Sequence, residues 1–152
     1  MLKKKLGIEA IERDWYVGEG LAINFYKIPS TLIIPEKVRW IGDFTFCNCE
    51  RLKKVEILGS IDEIGYSAFS NCPELGQIEI PESVKDIESL AFWNCRKLGK
   101  VVIPESCEKI GRSAFENCTG ATIILNKHNR AFKGFGFDAF LGVRDVKEET
   151  RA

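Results

Sequence analysis

Residues 75–95 read Leu-Gly-Gln-Ile-Glu-Ile-Pro-Glu-Ser-Val-Lys-Asp-Ile-Glu-Ser-Leu-Ala-Phe-Trp-Asn-Cys, and the reading of this stretch decides the fold. Two rhythms share it. Leu75, Ile78 and Ile80 include an alternating pair, the period of a short strand whose inward face carries Ile78 and Ile80. Pro81 stops that strand, because proline has no amide to give to a ladder. Val84 and Ile87 turn inward again, and the sequence predicts a short helical turn through Ala91-Phe92 that ends at Asn94. A unit of this size cannot bury its own apolar residues, so copies must stack into a continuous core.

The copies are present on both sides. Phe46, Phe69, Phe92 and Phe115 are 23 residues apart, and so are Cys49, Cys72, Cys95 and Cys118. Asn48, Asn71, Asn94 and Asn117 keep the step, as do two isoleucine columns, Ile34-Ile57-Ile80-Ile103 and Ile41-Ile64-Ile87-Ile110. Leu52, Leu75 and Leu98 form another column, with Ala121 as its smaller fourth member. Asparagine shares with glycine a tolerance of the left-handed region, so positive φ is predicted at all four asparagines, each ending its turn as a C-terminal cap does. The phenylalanine column is predicted to be a buried spine.

The register weakens outward. Gly136-Phe-Asp-Ala-Phe140 matches Gly111-Arg-Ser-Ala-Phe115 at a step of 25, which places Phe132 on Cys107, Phe135 on Ile110, Val143 on Cys118 and Val146 on Ala121. Residues 126–146 are therefore expected to be a degenerate repeat or cap, with Phe132, Phe135 and Phe140 covering the end of the stack, and residues 147–152 a frayed tail. At the other end, residues 2–13 are a candidate helix. Trp15-Tyr16-Val17, Gly18-Glu19-Gly20 and the run from Leu21 to Tyr26 read as a hairpin. Residues 1–31 are then an N-terminal cap and 32–125 the regular repeats, in one domain overall.

Composition excludes several function classes. Lys plus Arg and Asp plus Glu are both 22, so the formal net charge is zero and the basic footprint of a nucleic-acid binder is missing. No apolar run approaches the roughly 18 residues of a membrane span. After Lys3-Lys4-Lys5, the residues Glu9, Glu12, Arg13 and Asp14 interrupt any signal-peptide core, so the chain as written reads as cytoplasmic.

Catalytic and metal chemistry find little to work with. Four of the six cysteines hold one repeat position, and Cys107 shares a column with Val38, Ile61 and Val84. Both are core columns, where free cysteine packs as a small hydrophobe. Stacked side chains point inward in parallel, so reduced thiols are expected although the coil spacing itself permits a bridge. The one histidine, His128, lies in a polar loop outside the regular repeats. Neither four converging zinc ligands nor a nucleophile beside an oriented base is evident. No cofactor, metal or catalytic residue is assigned.

The pattern Leu-x-x-Ile-x-Ile-Pro-x-x-Val-x-x-Ile-Gly-x-x-Ala-Phe-x-x-Cys resembles the BspA-like leucine-rich repeat, closely over about residues 21–125 and loosely over 126–146. Three departures occur: Leu58 stands where Pro81 and Pro104 stand, Glu88 replaces glycine, and Thr45 replaces alanine. The resemblance implies an α/β repeat, a right-handed leucine-rich-repeat solenoid with a short-stranded parallel sheet and short helical turns. It implies protein binding or adhesion as the role, and it leaves a secreted or cell-surface location open.

A partner would meet positions that vary between repeats. Beside the inward Val55 and Ile57 stand Lys54 and Glu56, with Gln77 and Glu79, then Lys100 and Val102, then Ile123 and Leu125 as expected equivalents. This outer face is charged at its centre and apolar toward the C-terminus. The apolar end is either covered by the C-terminal segment or a contact surface. Trp40 and Trp93, whose column-mates are mostly charged or polar, mark a second candidate patch, and Phe44 and Leu90 share a column with Ser67 and Ser113. The function expected is a non-catalytic protein-protein interaction module, monomeric or a weak homo-oligomer; the alternative is a structural or adhesive segment of a bacterial surface protein.

Overall fold

The computed structural model describes residue 28, residues 30–126 and residues 134–149. The candidate N-terminal helix and hairpin, Phe132 and His128 lie outside these residues. The rest is a stack of coils with parallel strands on two sides. One side carries β1 (Thr31–Ile34), β3 (Lys54–Ile57), β5 (Gln77–Ile78), β7 (Lys100–Val102), β9 (Thr122–Asn126) and β10 (Asp145–Glu149). The other carries β2 (Trp40–Ile41), β4 (Glu63–Ile64), β6 (Asp86–Ile87) and β8 (Lys109–Ile110), one continuous four-stranded sheet. Every pairing is parallel, and between the regular coils each residue faces its equivalent 23 positions on, as Val55 faces Ile78 and Ile64 faces Ile87.

The core is built from the repeated columns. Phe46, Phe69, Phe92 and Phe115 are fully buried and their rings stack at 5.3, 5.5 and 5.1 Å, continued by Phe140 at 5.9 Å. The four column cysteines are buried free thiols, and those of Cys72, Cys95 and Cys118 donate to the carbonyls of Phe46, Phe69 and Phe92. Burying a thiol without such an acceptor would leave its donor unmatched.

The expected helical turns are not there: among the described residues there is no helix. Hydrogen bonding explains it. In the phenylalanine segment alternate amides donate to the next coil instead of back along their own: Ser67 to Ser89, Phe69 to Ala91 and Asn71 to Trp93, all at 2.7–3.0 Å. Leu90, Phe92 and Asn94 repeat the pattern toward Arg112, Ala114 and Glu116. An α-helix needs those amides for its own carbonyls. The segment is thus a third inter-coil ladder, and the α/β expectation gives way to an all-β solenoid.

The asparagines do take positive φ, 61°, 57°, 61° and 62° at Asn48, Asn71, Asn94 and Asn117. They also form a ladder of their own, Asn71 donating to Asn48 at 2.8 Å and Asn94 to Asn71 at 2.6 Å. Four residues earlier runs a second left-handed column that the sequence does not announce: Phe44, Ser67, Leu90 and Ser113, with φ between 52° and 60°. A bulky residue in this region costs energy. Its own amide and the amide two residues on both bond to the next coil and hold it there, as Leu90 does to Arg112 and Phe92 to Ala114.

Two register expectations are corrected. Thr122 pairs with Lys100, Ile123 with Val101 and Ile124 with Val102, a step of 22, because the glycine between Leu98 and Lys100 has no counterpart after Ala121. A one-residue slip turns every side chain to the opposite face of a strand. Ile123 therefore points into the core at 0% exposure, and the outward positions of β9 are Thr122 and Ile124. Ile124 is itself buried between Val102 and Lys147, so among the described residues the outward apolar position of β9 is covered. Val146 likewise faces Ile123, not Ala121. The supposed tail is ordered through Glu149, since Lys147, Glu148 and Glu149 pair with Ile124, Leu125 and Asn126.

The C-terminal phenylalanines behave unequally. Phe140 joins the spine and is half-buried, and Phe135 bridges Ile110 as the register predicts. Phe135 is nevertheless 48% exposed and Phe137 72%. This segment continues the stack as another coil, and its outer side is only partly apolar-sealed by the described residues.

Candidate interaction surface

The strand ladder carries six of the eight candidate residues onto one face. Lys54 and Glu56 alternate with the inward Val55 on β3, Gln77 leads β5, Glu79 follows it, and Lys100 and Val102 flank the inward Val101 on β7. Gln77, Glu79 and Lys100 are exposed, and the other three half-buried. Lys54 and Glu56 neutralise each other in an ion pair of 2.5 Å. The register sets Gln77 beside Lys54.

At the centre of this face the sheet is interrupted. β1, β3 and β5 form one three-stranded sheet and β7, β9 and β10 another, and β5 and β7 are not hydrogen-bonded neighbours. The coils remain joined at the base of the break, where Gly99 donates to Gly76 at 3.0 Å. Above that point a cleft of about 560 Å³ opens, with Ile57, Ile78, Ile80 and Val102 among its apolar lining and Glu79, Glu82 and Lys100 as its charged residues. The sequence picked out Glu79 and Lys100 by their variability but gave no sign of the break.

The tryptophans lie elsewhere. Trp40 is on β2, on the second sheet, and is 41% exposed; Trp93 sits half-buried in the phenylalanine segment. The structure does not bring them onto the strand face. Four residues after Trp40, Phe44 makes an exposed edge-to-face pair with Tyr66 of the next coil at 5.2 Å. The second sheet also carries Glu63, whose carboxyl is held above the usual range by partial burial first and then by Glu88, Asp43 and Asp86, with Lys109 opposing. Lys109 is engaged by Glu88 at 3.1 Å.

Among the described residues burial chiefly pushes the Cys107 thiol up to about 11 and raises Cys47 and Cys95 as well, which keeps their protons on the sulfur, whereas hydrogen bonds from Cys49 and then Cys95 hold the buried Cys72 thiol below its ordinary value. Among the described residues no three His, Cys, Asp or Glu side chains converge as metal ligands. Among them, too, no helix is long and apolar enough to cross a membrane.

Parallel ladders on successive 23-residue coils, an aromatic spine and an asparagine ladder define a β-solenoid of the leucine-rich-repeat type. The model of the BspA type leucine rich repeat region matches residues 24–143 in six copies, and the chain belongs to that family. No curated protein matches it. Among solved structures it is similar to the leucine rich repeat protein of T. pallidum, at 27% identity and a TM-score of 0.71, over 78% of this chain and 58% of that one. A leucine-rich repeat protein from Eubacterium ventriosum is 26% identical, with a TM-score of 0.66 over 80% of this chain and 32% of that one. A leucine rich cell surface protein from Faecalibacterium prausnitzii is 25% identical, with a TM-score of 0.65 over 84% of this chain and 41% of its own. The chain thus spans less than two thirds of the length of each of these relatives.

Proposed function

We propose that the chain is a non-catalytic protein-interaction module that binds through the strand face bearing Lys54, Glu56, Gln77, Glu79, Lys100 and Val102. One observation carries the reading: the regular ladders bury nearly identical residues in every coil, whereas this face changes from coil to coil and opens into a cleft at its centre. A surface of mixed charge favours a polar protein partner, whose ion-pair contacts weaken with salt. Photo-crosslinkers at Gln77 and at Trp40, used in the source cell, test it. A discrete protein adduct at Gln77 and none at Trp40 is expected; the reverse moves the site to the second sheet.

An adhesive or structural role on a bacterial surface is the second reading. It is favoured by the similarity to the F. prausnitzii protein described as a cell surface protein. Fractionation of the source cell separates the two: a soluble cytoplasmic pool supports the module, and a surface pool retained by matrix or host ligands supports adhesion.

A further inference from the structure

The break between β5 and β7 offers more than a hollow. In a parallel ladder, alternate residues address opposite neighbours. The Gly99 carbonyl accepts from Thr122 and the Ile103 amide donates to Ile124, so Val101 and Ile103 face β9, while the Gly99 amide reaches back to Gly76. Lys100 and Val102 therefore turn their main-chain groups toward β5. On the facing side Gln77 donates to Lys53, so Ile78 and Ile80 turn theirs toward β7. The two edges look at each other without forming a ladder, inside a folded stack. Unpaired strand edges of this kind are what an incoming extended chain adds to.

The side chains around those edges match the same visitor. The half-buried Ile57 and Val102 present the aliphatic surface, backed by the core residues Ile78 and Ile80, and Glu79 and Lys100 place opposite charges at the mouth. Neither charge has an ion-pair partner among the described residues. An apolar small molecule would satisfy the wall and leave both the open main chain and the two charges unanswered. An extended peptide answers all three, since it carries main-chain donors and acceptors, a side chain to insert, and flanking charges.

We propose that this cleft is an anchor slot for an extended protein segment, which inserts one aliphatic side chain against Ile57 and Val102 and hydrogen-bonds its main chain to the open edges. A basic residue of the segment meets Glu79 and an acidic one meets Lys100. The proposal rests on the strand-face reading above and narrows it to one place and one partner chemistry.

The probe is a displayed library of random linear dodecapeptides, selected on the whole chain and counter-selected on Val102→Trp, which fills the slot. Peptides enriched on the unmodified chain should share an aliphatic residue flanked by charges of both signs. Val102→Trp should weaken them by more than about tenfold, as loss of a buried anchor does. Glu79→Lys, an exposed change that leaves the core alone, gives the same direction should Val102→Trp unfold. Hydrogen exchange at the Ile80 and Val102 amides should be fast in the free chain and slowed by the peptide. The slot is overturned by no enrichment over Val102→Trp, by peptides that protect neither amide, or by an N-methylated peptide that binds equally well. Binding lost only on Lys54→Glu with Glu56→Lys keeps the strand face and removes the slot. Binding lost only on Trp40→Ala or Trp93→Ala removes both.

Discussion

Truncating Phe92 to alanine probes the stack at its most constrained point. Phe92 is fully buried, with Phe69 and Phe115 against its two faces at 5.5 and 5.1 Å. The change withdraws on the order of 150 Å² of apolar surface, about 4 kcal/mol at roughly 25 cal/mol per Å². The hole cannot close cheaply, because the main chain on either side is pinned by the bonds from Phe92 to Ala114 and from Phe69 to Ala91, each 2.8 Å. The expected loss is therefore about 4 kcal/mol, within the range of about 3–5 for buried phenylalanines. For a domain of this size that lowers the thermal midpoint by about 8–16 °C. Urea unfolding followed by circular dichroism measures it, with the slope checked to show that the transition stays cooperative. Phe140→Ala is the internal control: its ring is half-buried and among the described residues it stacks on one spine ring, Phe115, so about 2 kcal/mol is expected from roughly half the area. A Phe92→Ala loss under about 1 kcal/mol, or one smaller than that of Phe140→Ala, would refute the stacked spine as the main source of cohesion.

Asn94→Val should cost about 1–3 kcal/mol more than Asn94→Gly in the same unfolding experiment, since both lose the bond to Asn71 but only valine resists φ of 61°. Glu63→Gln should stabilise the fold at neutral pH. The Glu63 carboxyl is raised in the folded state, so the native form binds its proton more tightly, and the ionised side chain carries a penalty above its folded pKa. The penalty fades as pH falls through that pKa and is gone below the unfolded value of about 4.3, where the two proteins should unfold alike. A gain that persists into acid would count against this origin. Gly111→Ala should destabilise by about 1–3 kcal/mol, because an added Cβ would fall 2.3 Å from the Ser89 amide nitrogen of the previous coil. Restoration by a second change at Ser89 would show that a side chain, rather than the backbone, is at fault.

The repeat, its inward columns, the phenylalanine spine and the asparagine turns were all legible in the residues, because each depends on size, polarity or φ tolerance at a fixed spacing. The 23-residue step alone implies that Val55, Ile78 and Val101 share one environment, and they do. Three things were decided only by the tertiary structure. Ala91-Phe92 looks helical in isolation, but the next coil competes for its amides and wins, so the segment becomes a ladder. Ile123 looks outward by the regular step, yet one missing glycine shifts the register and sends it inward, since strand side chains alternate with a period of two. The cleft between β5 and β7 has no local cause in the sequence: Ile78 and Val101 occupy the same column as neighbours that pair normally. Sequence periodicity states which residues are equivalent. Which main-chain group finds a partner depends on where the adjoining coil comes to rest, and that is a property of the packed stack.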